Sequence, residues 1–88
     1  MFDLFLLPPA TRFLESLDPV DREEVRRLLD IIARDPFWDH RTKLPFPVLP
    51  AIISLYDNGE FKIAYHILNS AVISIWAIGR SDDRLRLR

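Results

Sequence analysis

Apolar and polar positions change rhythm twice along this chain. Phe2 to Leu7 is a nearly unbroken apolar run of strand length, stopped by Pro8-Pro9. A proline pair ends a strand and can open a helix, because the first helical position needs no N–H. Ala10, Phe13, Leu14 and Leu17 then recur at i, i+3, i+4 and i+7, the period of a helix with one apolar face. Asp18-Pro19 starts a second helix. Asp18 suits the N-cap, Pro19 the first helical position, and Asp21, Glu23 and Glu24 the positive end of the helix dipole. Val25, Leu28, Leu29 and Ile32 form its apolar stripe, while Glu23 with Arg27 and Asp30 with Arg34 are spaced i, i+4 on its wet side. Asp35-Pro36 closes it, since a residue before proline is pushed out of the helical region.

Between Asp35 and Pro50, prolines at 36, 45, 47 and 50 forbid one regular element and predict an extended surface crossover. It carries a short basic island of His40, Arg41 and Lys43. After Pro50 the period becomes two. Ala51 to Asp57, Glu60 to Leu68 and Ala71 to Ile78 read as strands, with Gly79 breaking the last. Asn58-Gly59 reads as a type I′ hairpin turn and Asn69-Ser70 as a second tight turn. The order is β-α-α-β-β-β. It predicts a single α+β domain over residues 1–88, a small antiparallel meander with two helices on one face and Phe2 to Leu7 joining the sheet.

Two-residue turns assign the faces. They set Tyr56 opposite Phe61, Leu55 opposite Lys62, His66 opposite Ile73, Ile63 opposite Trp76 and Lys62 beside Ala77. The helices should then cover Ile52, Tyr56, Phe61, Ile63, Tyr65, Ile67, Val72, Trp76 and Ile78. The other face collects Ile53, Leu55, Ala64, Ile73, Ile75 and Ala77, with Lys62 and His66 set among them. So apolar a patch is seldom left bare, and Ile53, Leu55, Ile73 and Ile75 are the expected partner surface.

Composition narrows the chemistry. At 88 residues, 49% hydrophobic and 28% charged, the chain is ordinary globular material. It has no cysteine, which excludes disulfides, thiolate metal sites and a cysteine nucleophile. Two histidines without cysteine make no metal site, and no glycine-rich phosphate loop or cofactor fingerprint is present. A net charge of −1 supplies no global basic field for nucleic acid, so any anion-binding surface is local. The opening run is too short for a membrane span and lacks a basic start, so a soluble, cytoplasmic protein is expected.

The stretch Asn58-Gly59-Glu60-Phe61-Lys62-Ile63-Ala64-Tyr65, followed by Ile78-Gly79-Arg80, resembles the RelE/ParE superfamily of toxins from bacterial toxin–antitoxin pairs. Its members commonly show a glycine, an aromatic, a basic residue, an aliphatic and a tyrosine along the central strand, then Gly-Arg or similar after the last. Asp35-Pro36 and Lys43-Leu44 also resemble the pattern, so the likeness spans nearly the whole chain. It implies a type II toxin neutralised by an antitoxin that wraps it. The family divides into ribosome-dependent, metal-independent mRNA endonucleases and gyrase inhibitors that cleave nothing, and a degenerate toxin fold acting only by binding is a further alternative. By position, Lys62 matches the basic residue of the central strand, Arg80 the arginine after the last strand, and Lys43 falls near the basic positions of the crossover. Lys62 stands where arginine is more usual, keeping charge but losing bidentate phosphate geometry. No tyrosine or histidine follows Arg80; Arg84-Leu85 stands there instead.

Cleaving RNA without a metal needs a base for the 2′-hydroxyl, cations on the phosphorane and an acid for the leaving oxygen. Lys62 and Arg80 are the expected cations with Lys43 in support, and His66 is the group able to exchange a proton near neutral pH. Arg41, Arg84 and Arg86 are the expected phosphate contacts along the strand of RNA. The plainer reading makes Lys62 a snorkelling lysine, His66 a polar residue on a sheet face and the arginine tail a solubilising end. The expected partners are an antitoxin, then the ribosome with mRNA or DNA gyrase, with a second copy of the chain as another candidate.

Overall fold

The computed structural model describes residues 1–36, 42–45 and 52–82, with backbone alone for 42–45 and 52. The elements are β1 (Asp3–Leu6), α1 (Pro8–Ser16), α2 (Pro19–Arg34), β2 (Thr42–Pro45), β3 (Ile52–Asp57), β4 (Phe61–Ile67) and β5 (Val72–Arg80). One mixed sheet of order β1-β5-β4-β3-β2 results, with β1 parallel to β5 and the other pairs antiparallel. It is the expected α+β arrangement with one addition. The crossover contributes β2, a four-residue edge strand ending at Pro45, a position where a residue without an N–H is tolerated.

The helices form where their local signals put them. The Asp18 carboxylate accepts from the Asp21 N–H at 2.8 Å, and Pro19 opens α2. Val25, Leu28, Leu29, Ile32 and Ala33 are buried on one side of it. The Arg22 guanidinium turns back onto the C-terminal carbonyls of α1, donating to Leu17 at 2.9 Å and to Leu14 and Glu15 at 3.3 Å. That fixes the corner between the helices. Asp30 pairs with Arg34 as expected, at 2.8 Å. Arg27, however, chooses Glu24 at i−3, at 2.6 Å, over Glu23. This pair holds the Glu24 carboxyl below its usual range through the Arg27 hydrogen bond.

Three details of the sheet differ from the expected register. First, the central residues of the first hairpin are Gly59 and Glu60. Asn58 N–H donates to the Phe61 carbonyl, and the Asn58 side chain accepts from Phe61 N–H at 2.8 Å. Gly59 alone has positive φ, +92°, which excludes a type I′ turn and suits glycine at the first corner of a type II′ turn. The pairing therefore becomes Tyr56 with Ile63, Leu55 with Ala64 and Asp57 with Lys62. Second, the next connection has three residues, Asn69 to Ala71, because the Asn69 side chain accepts from both Ala71 and Val72 N–H. Ile67 now faces Ile73, and His66 faces Ser74. Third, the register slips between Ala64 and Tyr65: Ala64 pairs with Ala77, yet Tyr65 pairs with Ile75, leaving Trp76 as an extra residue.

The slip changes which residues the helices cover. Ile73, Ile75 and Ile78 all join Tyr56, Phe61, Ile63 and Tyr65 in the helix-side core. Trp76 instead turns to the far face, where its indole N–H donates to the Ser74 hydroxyl at 3.0 Å. β5 also runs through Gly79 to Arg80 rather than breaking at Gly79. The core closes with Phe13 edge-on to Phe61, ring centroids 6.4 Å apart. Beneath it the buried Tyr65 hydroxyl donates to the Pro36 carbonyl at 2.6 Å, tying the exit of α2 to the middle of the sheet.

Two outcomes follow. Tyr65→Phe strands the buried Pro36 carbonyl and should cost about 1–3 kcal/mol in denaturant unfolding. Ile75→Asp should leave the chain unfolded by circular dichroism, whereas Trp76→Ala should still fold; the reverse pattern would mean that β5 has no bulge.

Candidate functional site

Strand alternation decides which cations can meet. Lys62 stands opposite Gly79 on one side and Asp57 on the other. Its neighbour Phe61 is in the helix-side core, so Lys62 faces the other way and is half-buried there. Arg80 stands opposite Phe61 and shares its face. Its guanidinium lies 5.0 Å from the Phe61 ring centroid and reaches the Asp21 carboxylate on α2 at 3.0 Å. The Asp21 hydrogen bond is the main cause raising the Arg80 pKa above its ordinary value, so this charge is already partnered. Lys62 and Arg80 thus sit on opposite sides of the sheet, and the structure does not bring them to one point.

The other expected groups are also spread. His66 follows Lys62 on the same face of β4, but four residues on, about 13 Å along a strand. Its Nδ1 is buried and has no hydrogen-bond partner among the described residues. Lys43 stands opposite Ser54, three residues before the Asp57 that faces Lys62. Arg41, Arg84 and Arg86 lie outside the described residues. Among those described, Lys62 enters no ion pair, and no cluster of histidine, aspartate and glutamate could hold a metal ion.

The expected partner surface is corrected as well. Ile73 and Ile75 are fully buried under the helices, moved there by the three-residue loop and the bulge. Ile53 is on the far face but is itself fully buried. Leu55 alone of the four keeps partial exposure. Sequence reasoning also missed Asp21 as the partner of Arg80. They are 59 residues apart, and only the packing of α2 over the Phe61 end of the sheet brings them together.

One further tether holds the end of β5. Ser81 N–H donates to the Glu60 carbonyl at 2.9 Å, and its hydroxyl donates to Asp57 Oδ1 at 2.5 Å. Asp57 Oδ1 also accepts from Gly59 N–H at 2.8 Å, so this carboxylate serves the hairpin and not Lys62. Arg80→Ala should therefore lower the melting temperature in a salt-sensitive way, while Lys62→Ala should leave it nearly unchanged. Equal losses from the two, by thermal unfolding at low and high salt, would contradict this division.

The chain matches no protein-family model, and no curated protein sequence matches it significantly. Solved structures do match. Over 90% of this chain and 96% of the other, it superposes with TM-score 0.73 and 16% identity on a chain of the RelBE2 toxin–antitoxin complex from Mycobacterium tuberculosis. The archaeal RelE–RelB complex from Pyrococcus horikoshii gives TM-score 0.71 at 15% identity, over 94% of this chain and 98% of that one. The isolated RelE toxin of E. coli gives 0.70 at 13% identity, over 96% and 88%. Two helices on one face of a small mixed sheet, in this order and over this length, are the RelE toxin fold.

Proposed function

We propose that this chain is the toxin of a type II toxin–antitoxin pair of the RelE type, acting in the cytoplasm and held inactive by a cognate antitoxin. The observation that carries the reading is the extent of the fold match, with nine-tenths or more of this chain superposing on the three RelE structures described above, two of them toxin–antitoxin complexes. Its finer form is arrest of translation by metal-independent cleavage of ribosome-bound mRNA. In that chemistry the 2′-hydroxyl attacks the adjacent phosphorus, its proton leaves to a base, and the 5′-oxygen departs with a proton from an acid. Lys62, the half-buried cation of β4 that enters no ion pair among the described residues, is the group to stabilise the phosphorane, with Lys43, His66 and the arginines at 41, 84 and 86 as supporting contacts. Loss of one such donor typically lowers the rate roughly 10²–10³-fold.

A second reading is a non-cleaving protein of the same fold, either a gyrase inhibitor or a degenerate toxin. The specific observation in its favour is Arg80, committed to Asp21 on the side of the sheet away from Lys62.

Controlled induction separates the readings when translation and DNA replication are followed independently. The cleavage reading expects translation to stop first, mRNA to be cut in ribosome-bound frames, and Lys62→Ala to abolish both at equal expression. Replication arrest with intact mRNA would favour the gyrase reading. A chain that is harmless on induction and ignores the product of the adjacent reading frame would overturn the toxin assignment.

A further inference from the structure

β1 is an edge strand whose inner side alone is paired. Asp3 N–H donates to the Ala71 carbonyl and Leu7 N–H to the Ile75 carbonyl, so the odd-numbered residues of β1 face β5. The N–H and C=O groups of Leu4 and Leu6 therefore point out of the sheet, and among the described residues no strand pairs with them. On either side this free edge is closed off. Phe2 N–H is taken by the Ala33 carbonyl at the end of α2, and Pro8 turns the chain into α1. At the centre of the edge is Phe5, 58% exposed on the face away from the helices.

We propose that this edge pairs with the same edge of a second copy, antiparallel about a two-fold axis at Phe5. The register is dictated by which groups are free. Leu4 opposite Leu6 of the other copy, and Leu6 opposite its Leu4, are each a pair that exchanges both backbone hydrogen bonds, which satisfies every outward group of β1. Phe5 then meets its own symmetry mate in the intervening non-hydrogen-bonded pair, where side chains approach most closely. Asp3 faces Leu7, so no like charges oppose each other. The sequence Leu-Phe-Leu is palindromic about the axis, as a two-fold interface requires. An edge this apolar, carrying Asp3 as its only charge, has little of the protection that keeps edge strands single. The interface is short, so the dimer is in exchange with monomer.

The chain has no cysteine, which makes single-cysteine crosslinking unambiguous. At the axis the two Cα atoms of position 5 would lie about 4.5 Å apart, within disulfide reach. Phe5→Cys should form a covalent dimer rapidly under mild oxidation, and Leu68→Cys, similarly exposed but just beyond β4 and off the β1 edge, should not. By sedimentation the unmodified chain should shift towards twice its mass with rising concentration, and Phe5→Lys, at unchanged melting temperature, should remain monomeric. Equal crosslinking of the two cysteine variants, or a chain monomeric at every concentration, overturns the proposal. So does protection of the Leu4 and Leu6 amides from exchange only when an antitoxin is added, because the edge would then belong to that partner.

Discussion

One extra residue in β5 governs the rest of the sheet. Trp76 is inserted between a pair that sets Ala77 against Ala64 and a pair that sets Ile75 against Tyr65. Without it, Ile73 and Ile75 would face away from the helices whenever Ile78 faced toward them, because side chains alternate strictly along a strand. With it, all three isoleucines enter one core. At roughly 1.5–3 kcal/mol for each buried aliphatic side chain, recovering two of them outweighs the disruption of one ladder step. The tryptophan is left on the far face, where Ser74 satisfies its N–H.

The same constraint explains what could be read from the sequence. Both helices were legible because caps, prolines and period act within a few residues of one another. The faces of β3 and β4 were also legible, although their turn was misplaced. Moving the hairpin corner from Asn58-Gly59 to Gly59-Glu60 changes every partner by two positions, and a shift of two leaves each side chain on its own face. β5 was not legible, since a three-residue loop and a bulge each shift it by one. A signal did exist in the isoleucines at 73, 75 and 78, spaced by two and then by three, which no regular strand can bury together. The capacity of Asn69 to hold two backbone N–H groups at once was the other.

The motif that carried the resemblance divides by role. Gly59 makes the corner that starts β4. Phe61, Ile63 and Tyr65 form the helix-facing side, and the hydroxyl of Tyr65 fixes the point where the chain leaves α2. Three of the strand residues that look like a functional signature are therefore there for the fold. Lys62 is the exception, turned to the other face among small neighbours, Ala64 and Ala77 along the sheet and Gly79 directly opposite.

That position also limits what Arg80 can do. Gly79 is the register partner of Lys62, so in a continuous strand the next residue must point to the opposite side. Continuity is enforced to the last step, because Ser81 still pairs with Glu60 and its hydroxyl is held by Asp57. Asp21 and the ring of Phe61 then give the guanidinium a charge partner and a surface on the helix side. Bringing Arg80 to a phosphate at Lys62 would require opening the end of the β4–β5 ladder and breaking the Asp21 pair together. A strand broken at Gly79 would have let Arg80 turn back toward Lys62, and strand continuity with its alternation is what separates them. A phosphate bound at Lys62 must therefore take its second cation from another segment of the chain or from the molecule the protein acts on.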